Sequence, residues 1–361
     1  MKLQAWKYAA PFLLYISAVQ AFLSTGLVVW IPVFYAWILV PILELLMKPD
    51  PSNLSEAEAE MAKHDRVYDY LLYLVVPFQF AALALFLYQV TFLPQTASDL
   101  FGKVMVMGLL CGTLGINVGH ELGHRTSSFE KLLAQLLLLS SLYMHFFIEH
   151  NKGHHKRVAT HEDPSSARFG ENLYHFWFRS IVFSYLSAWD IAVREMKKRG
   201  LPALSVHNQM LRFQIIQLLF LCGIWAFFGW QATLLFTGAA LLGILLLESV
   251  NYIEHYGLQR SRIENDKYER AMPVHSWNSS HVIGRVMLFE LSRHSDHHYM
   301  ASRKYQVLRH YDDAPQLPTG YPGMMILATL PFAWFRVMNK RIRKVEEISL
   351  QQEVPVTGAV L

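Results

Sequence analysis

Nine histidines hold the chemistry that this chain could perform. Eight fall in three tight runs: HELGH (His120, His124), EHNKGHH (His150, His154, His155) and RHSDHH (His294, His297, His298). The ninth, His255, stands in NYIEHYG. Spacings of three or four residues put the imidazoles of each run on one face of a helix, aimed at one point. Neutral imidazole is the usual ligand for iron, copper, nickel and zinc. Nine ligands exceed what one ion takes, so the pattern reads as a two-metal site. A lone histidine on an apolar face is more often a hydrogen-bonded core residue than a ligand. Three runs in one chain argue otherwise, and His255 joins them by closing an apolar run beside Glu254 and Tyr252.

Ligating histidines need a partner on the second ring nitrogen to fix tautomer and orientation. The flanking acids Glu121, Glu149, Asp163, Glu254 and Asp296 are candidates, as is His275 in HSWNSSH. The bland alternative for each acid is a solvated face or a salt bridge with Arg125, Arg157 or Arg293. Carboxylates also bridge metals in soluble di-iron bundles, but their Glu and Glu-x-x-His pattern is missing here. An all-histidine ligand set is therefore expected.

The elements that must position these residues are apolar. The 361 residues are 53% hydrophobic and 17% charged, where soluble domains are nearer a quarter charged. The expected fold class is an all-α integral membrane protein forming a single domain over residues 1–361. Six transmembrane helices are expected, at about 8–23, 27–47, 70–93, 103–120, 210–229 and 232–253. Residues 254–345 form a largely cytoplasmic cap, in which 322–338, broken by Pro331, suits an interfacial helix. The connections near 24–26, 94–102 and 229–232 hold no Lys or Arg, whereas the opposite side is basic. The positive-inside rule then makes both termini cytoplasmic and lets all nine histidines share that face. Residues 131–149 are long enough to cross. A crossing there would part His124 from His150, so this segment is expected not to span. Gly108, Gly112, Gly115 and Gly119 suit close helix packing in lipid.

Net charge of +4, without a basic stripe, excludes nucleic acid as a partner. Cys111 and Cys222 lie in apolar runs and read as inert core thiols. No CxxC pair exists, so the chain carries no rubredoxin, ferredoxin or zinc-ribbon module of its own. Lys2 and Lys7 precede an apolar stretch without a small-residue cleavage site, which argues for a span over a signal peptide.

The blocks HELGH, EHNKGHHKRVATHEDP, NYIEHYGL, HSWNSSH, RHSDHH and APQLPTGYPG resemble, in order, those of the membrane-bound alkane 1-monooxygenases, the AlkB-type non-haem di-iron hydroxylases. The match runs from about residue 40 to 340. The resemblance implies two iron ions held by the nine histidines, with O2 as co-substrate and an n-alkane converted to a primary alcohol. It also implies electrons from NADH through rubredoxin reductase and rubredoxin, and a place in the bacterial cytoplasmic (inner) membrane. Arg125, Ser292 and His161 depart from the family's usual residues. A fatty-acyl or lipid desaturase or hydroxylase with the same centre is the rival reading. A divalent-metal transporter is a second, disfavoured because its site would lie near the bilayer midplane.

An unactivated methyl offers neither charge nor hydrogen bond, so recognition must rest on apolar burial, about 0.8 kcal/mol per methylene. Trp30, Phe34, Ala36 and Trp37 of the second span, with Phe78 and Phe80 of the third, are the expected walls of a substrate channel. Glu44, near the cytoplasmic end of the second span, reads as structural.

Overall fold

The structure is a computed structural model and describes residues 2–263 and 267–353. Residues 264–266 of the expected cap and the two chain ends lie outside that description. The elements that position the histidines are helices: α1 (Phe12–Leu23), α2 (Gly26–Leu46), α3 (Arg66–Phe92), α4 (Ala97–Gly123), α5 (Ser128–Leu139), α6 (Leu173–Lys198), α7 (Gln209–His255), α8 (Val282–Met287), α9 (His294–Tyr299), α10 (Tyr321–Ala328) and α11 (Pro331–Glu353). A two-stranded antiparallel ribbon pairs β1 (Arg262–Ile263) with β2 (Lys267–Tyr268).

Four of these helices, α2, α3, α4 and α7, are long and apolar enough to cross a membrane. The expected first span, 8–23, is not among them. Its α-helix is 12 residues long and follows a short 3-10 turn at Lys7–Ala9, so α1 alone falls short of a bilayer. The expected spans 210–229 and 232–253 are two arms of α7. That element has 47 residues, about 70 Å if straight. It breaks at Gly229, whose φ of 81° and ψ of 171° suit glycine alone. Phe220 and Phe236 then meet with ring centroids 5.9 Å apart, although a straight helix would separate them by about 24 Å. α7 is a hairpin.

The 131–149 run is not one helix. α5 ends at Leu139, Ser140–Met144 turn with Leu142 at a left-handed φ of 54°, and a new helical turn begins at Phe146. Glycine sets the closest helix contact. A Cβ on Gly243 would stand 2.6 Å from Cys111 Cβ and 2.9 Å from the Gly112 nitrogen, so α4 and α7 meet backbone to backbone. Cys111 is buried in that seam. Cys222 is exposed on the apolar surface, which corrects its reading as a core thiol.

The cap is pinned to the bundle by buried arginines. Arg293, just before α9, donates to the Ser52 carbonyl at 2.6 Å and the Leu308 carbonyl at 2.8 Å. Arg285 pairs with Glu290 at 2.6 Å, and Glu290 accepts from Tyr8 Oη at 2.6 Å. Glu44 is also buried, and its Oε1 accepts from the Gly284 N–H at 2.8 Å, tying α2 to α8.

Because His120 lies in the last turn of α4 and His255 ends α7, their seam fixes how these two histidines stand relative to each other. Gly243→Ala should cost about 1–3 kcal/mol through overpacking. The check is a lower melting temperature together with less bound metal per chain; an unchanged melting temperature would contradict the seam's role.

Candidate metal centre

The nine histidines converge, in two groups. His120, His124, His150, His155 and His297 form one; His154, His255, His294 and His298 form the other. Within each group the ligand atoms lie within 4.8 Å of one another. Two of the three runs are therefore divided between groups, which corrects the expectation that each run aims at one point. The reason is local. His150–His154 is a π-helical turn, in which the His155 N–H bonds to the His150 carbonyl, five residues back. That wider turn puts His150 and His155 on one side and sends His154 to the other. In α9, His294 and His298 are four apart and reach the four-histidine group, while the His297 ring stacks on His294 and turns its Nε2 to His120 and His155.

The five-histidine group is a closed ring of Nε2 atoms. Successive separations are 2.9 Å (His120 to His297), 3.1 Å (His297 to His155), 3.0 Å (His155 to His150), 3.1 Å (His150 to His124) and 3.2 Å (His124 to His120). In the four-histidine group, His294 and His255 Nε2 are 3.2 Å apart, as are those of His154 and His298. Ligands held about 2.1 Å from one ion stand about 3 Å from each other, so the spacing fits a metal. Five converging imidazole nitrogens cannot satisfy one another by hydrogen bonding alone, since each ring supplies at most one lone pair or one N–H there. Burial, then the crowding of neighbouring imidazoles, holds His124, His150, His155, His294, His297 and His298 well below the ordinary histidine range. They are neutral, with lone pairs free for a cation. The donor set therefore fits two ions.

Of the six supporting residues expected, the structure brings two to the rings. Asp163 Oδ2 stands 2.8 Å from His154 Nδ1, and Ser166 Oγ donates to the same oxygen at 2.6 Å. Burial alone would lower the His154 pKa, but the Asp163 charge and hydrogen bond outweigh it and raise it. Glu254 Oε2 lies 3.1 Å from His294 Nε2. The others face elsewhere. Glu121 pairs with Arg125 at 2.7 Å, Glu149 with Arg157 at 2.7 Å, and Asp296 with Arg303 at 2.6 Å. His275 accepts from the Met272 N–H at 3.0 Å and reaches Glu269 at 3.4 Å. Acids in a histidine-rich sequence are as close to arginines as to histidines, and spacing cannot tell which way they turn.

An apolar cavity is lined by residues that neighbour the histidines along the chain. Its walls include Trp37 and Val40 of α2, Leu109 and Asn117 of α4, and Leu246 and Val250 of α7. Met287, Leu291, Tyr321 and Met325 of the cap close it. Asn117 lies one turn before His120, and Leu291 three residues before His294. Of the expected channel residues, Ala36 and Trp37 line this cavity. Trp30 packs on Phe101, Phe78 on Phe12 and Phe80 on Phe220, while Phe34 is exposed. Ala36 and Trp37 lie in a π-helical turn, Tyr35–Leu39, and α3 does not reach the cavity. The cap walls were missed because the segment is polar overall; the apolar runs VIGRVMLFEL and YPGMMILA were the available signal.

Comparison with known proteins matches residues 94–328 to the fatty acid desaturase family. Alkane 1-monooxygenase 2 of Pseudomonas aeruginosa is 40% identical over 319 residues, covering 87% of this chain and 84% of the relative. Alkane 1-monooxygenase 1 of Alcanivorax borkumensis is 40% identical over 322 residues, covering 88% and 79%. The chain belongs to the alkane 1-monooxygenase family. The xylene/toluene monooxygenase hydroxylase component XylM of Pseudomonas putida is a more distant relative, 28% identical over 66% of the chain.

Asp163 reaches the ring nitrogen turned away from the site, where an acid orients a ligand and raises its basicity. Asp163→Asn should weaken metal binding about 10–100-fold at the four-histidine group. Competition with a chelator measures this, and unchanged affinity would remove Asp163 from the role.

Proposed function

We propose that this chain hydroxylates the terminal methyl of n-alkanes. One atom of O2 enters the methyl as a hydroxyl; two electrons and two protons take the other to water. The observation that supports this reading best is the apolar cavity whose lining includes Asn117, one helical turn before His120. Such a pocket recognises a chain by burial alone and presents one end of it to the site. Two iron ions held by the five- and four-histidine groups would supply O2 activation and the redox steps that a C–H bond requires. Leu291, Tyr321, Met325 and Val250 enclose the cavity and keep water from the reacting end.

Electrons are proposed to come from NADH through rubredoxin reductase and a separate rubredoxin. On the aqueous side, His155 and His298 reach a mouth also lined by Lys156, Arg260, Lys267 and Arg270. A basic rim there favours an acidic carrier protein. The proposed setting is the bacterial inner membrane, with both termini cytoplasmic and six crossings, the first made by α1 together with the helical turns before it, Lys2–Trp6 and Lys7–Ala9. The α7 hairpin supports two of those crossings. His124 and His150, whose Nε2 atoms are 3.1 Å apart, support a 131–149 segment that stays on one side.

The deciding experiment supplies purified, iron-loaded protein with NADH, rubredoxin reductase, rubredoxin, O2 and octane or hexadecane. A primary alcohol is expected. A desaturated or hydroxylated acyl lipid instead would favour the desaturase reading.

Filling the cavity gives a second check. Ala36→Phe or Val40→Phe should shift preference toward shorter alkanes, at about 0.8 kcal/mol for each methylene excluded, with iron content unchanged. The same selectivity in both variants as in the parent would sink the cavity as the substrate site.

A further inference from the structure

We propose that Glu254 is a carboxylate donor to the ion of the four-histidine group, and that Tyr321 in the cavity wall sets how this carboxylate is turned. The inference rests on the reading that this group holds an ion. Four observations support it.

Glu254 approaches His294 from the inside. Its Oε2 lies 3.1 Å from Nε2, the nitrogen that also faces His255, while the outer Nδ1 of His294 has no hydrogen-bond partner. Asp163 does the opposite and meets the outer nitrogen of His154. An acid on the outer nitrogen orients a ring, whereas an acid beside the inner one shares the ring's own target.

Glu254 also lacks the partner that its neighbours have. Glu121, Glu149 and Asp296 each pair with an arginine. Among the described residues no lysine or arginine pairs with Glu254, although it is 1% exposed. A buried carboxylate without a counter-ion is costly, and a metal cation at the adjacent group would supply one.

The donor count points the same way. One group has five imidazoles and the other four, and Glu254 stands beside the smaller one, against His294; a turn of its carboxylate toward the other three rings would make that group a five-donor set as well. It would also bring negative charge to an otherwise neutral ligand set.

Finally, the other carboxylate oxygen is held from the cavity. Tyr321 Oη donates to Glu254 Oε1 at 2.6 Å, and Tyr321 is both buried and part of the cavity lining. Tyr321 is thus a positioning residue, one face against the apolar chamber and its hydroxyl on the carboxylate.

The test uses the full chain loaded with Co(II), whose visible d–d bands report coordination number and geometry. Glu254→Gln should bind the ion of that group about tenfold or more weakly and change its bands. Tyr321→Phe, which keeps the ring, should retain both ions and move the same bands part of the way. If Glu254→Gln does not fold, Tyr321→Phe decides alone. Spectra that superimpose on the parent at equal loading would overturn the proposal. His298→Ala separates this from the underlying reading: if it leaves the metal count unchanged, the four-histidine group holds no ion and both fall.

Discussion

The fold is organised around a crowd of buried nitrogens that cannot satisfy one another. Five Nε2 atoms about 3 Å apart close a ring, with four more beside it. Burial has removed the water that would solvate them, and crowding disfavours protons on most of them, His154 excepted, where Asp163 acts the other way. Bound cations would relieve this at a stroke. Much of the surrounding structure can be read as what holds the rings in place without them: the glycine seam of α4 and α7, the π turn at His150–His154, and the arginines that fasten the cap.

The site stands between two solvents. On one side, α2, α4 and α7 enclose an apolar chamber with the cap closing it. On the other, His155 and His298 reach a mouth edged by lysine and arginine. Hydrocarbon has no business in the second, and charged carriers have none in the first. On the proposed function, ions held where the two meet would let each reactant arrive through the medium in which it dissolves.

The histidines were legible in the sequence because ligand type and spacing are local properties. Their division was not, since a π turn shifts a helix's phase by one residue without any composition that announces it. His154 therefore joined a different group from His150. The hairpin at Gly229 was foreseen as two spans, whereas α1 proved too short to count as one by length. Of the six expected channel residues, Ala36 and Trp37 line the cavity and Trp30, Phe34, Phe78 and Phe80 do not. An aromatic in an apolar helix faces lipid, core or cavity with equal ease, and only tertiary packing decides. The acids show the same limit. Glu121, Glu149 and Asp296 lie as near the histidines in sequence as Asp163 and Glu254, yet arginines claim them.

The five-membered ring has a consequence for how the protein is made. His120 and His297 are neighbours in space but 177 residues apart in the chain. The other four members of that ring all emerge before residue 156, while the second group gains two of its four members only with His294 and His298. A nascent chain paused after α6 would thus present an incomplete, solvent-open cluster to any metal in the cell. Faithful loading must wait until α9 has been made, when it drops into place and shuts both groups together.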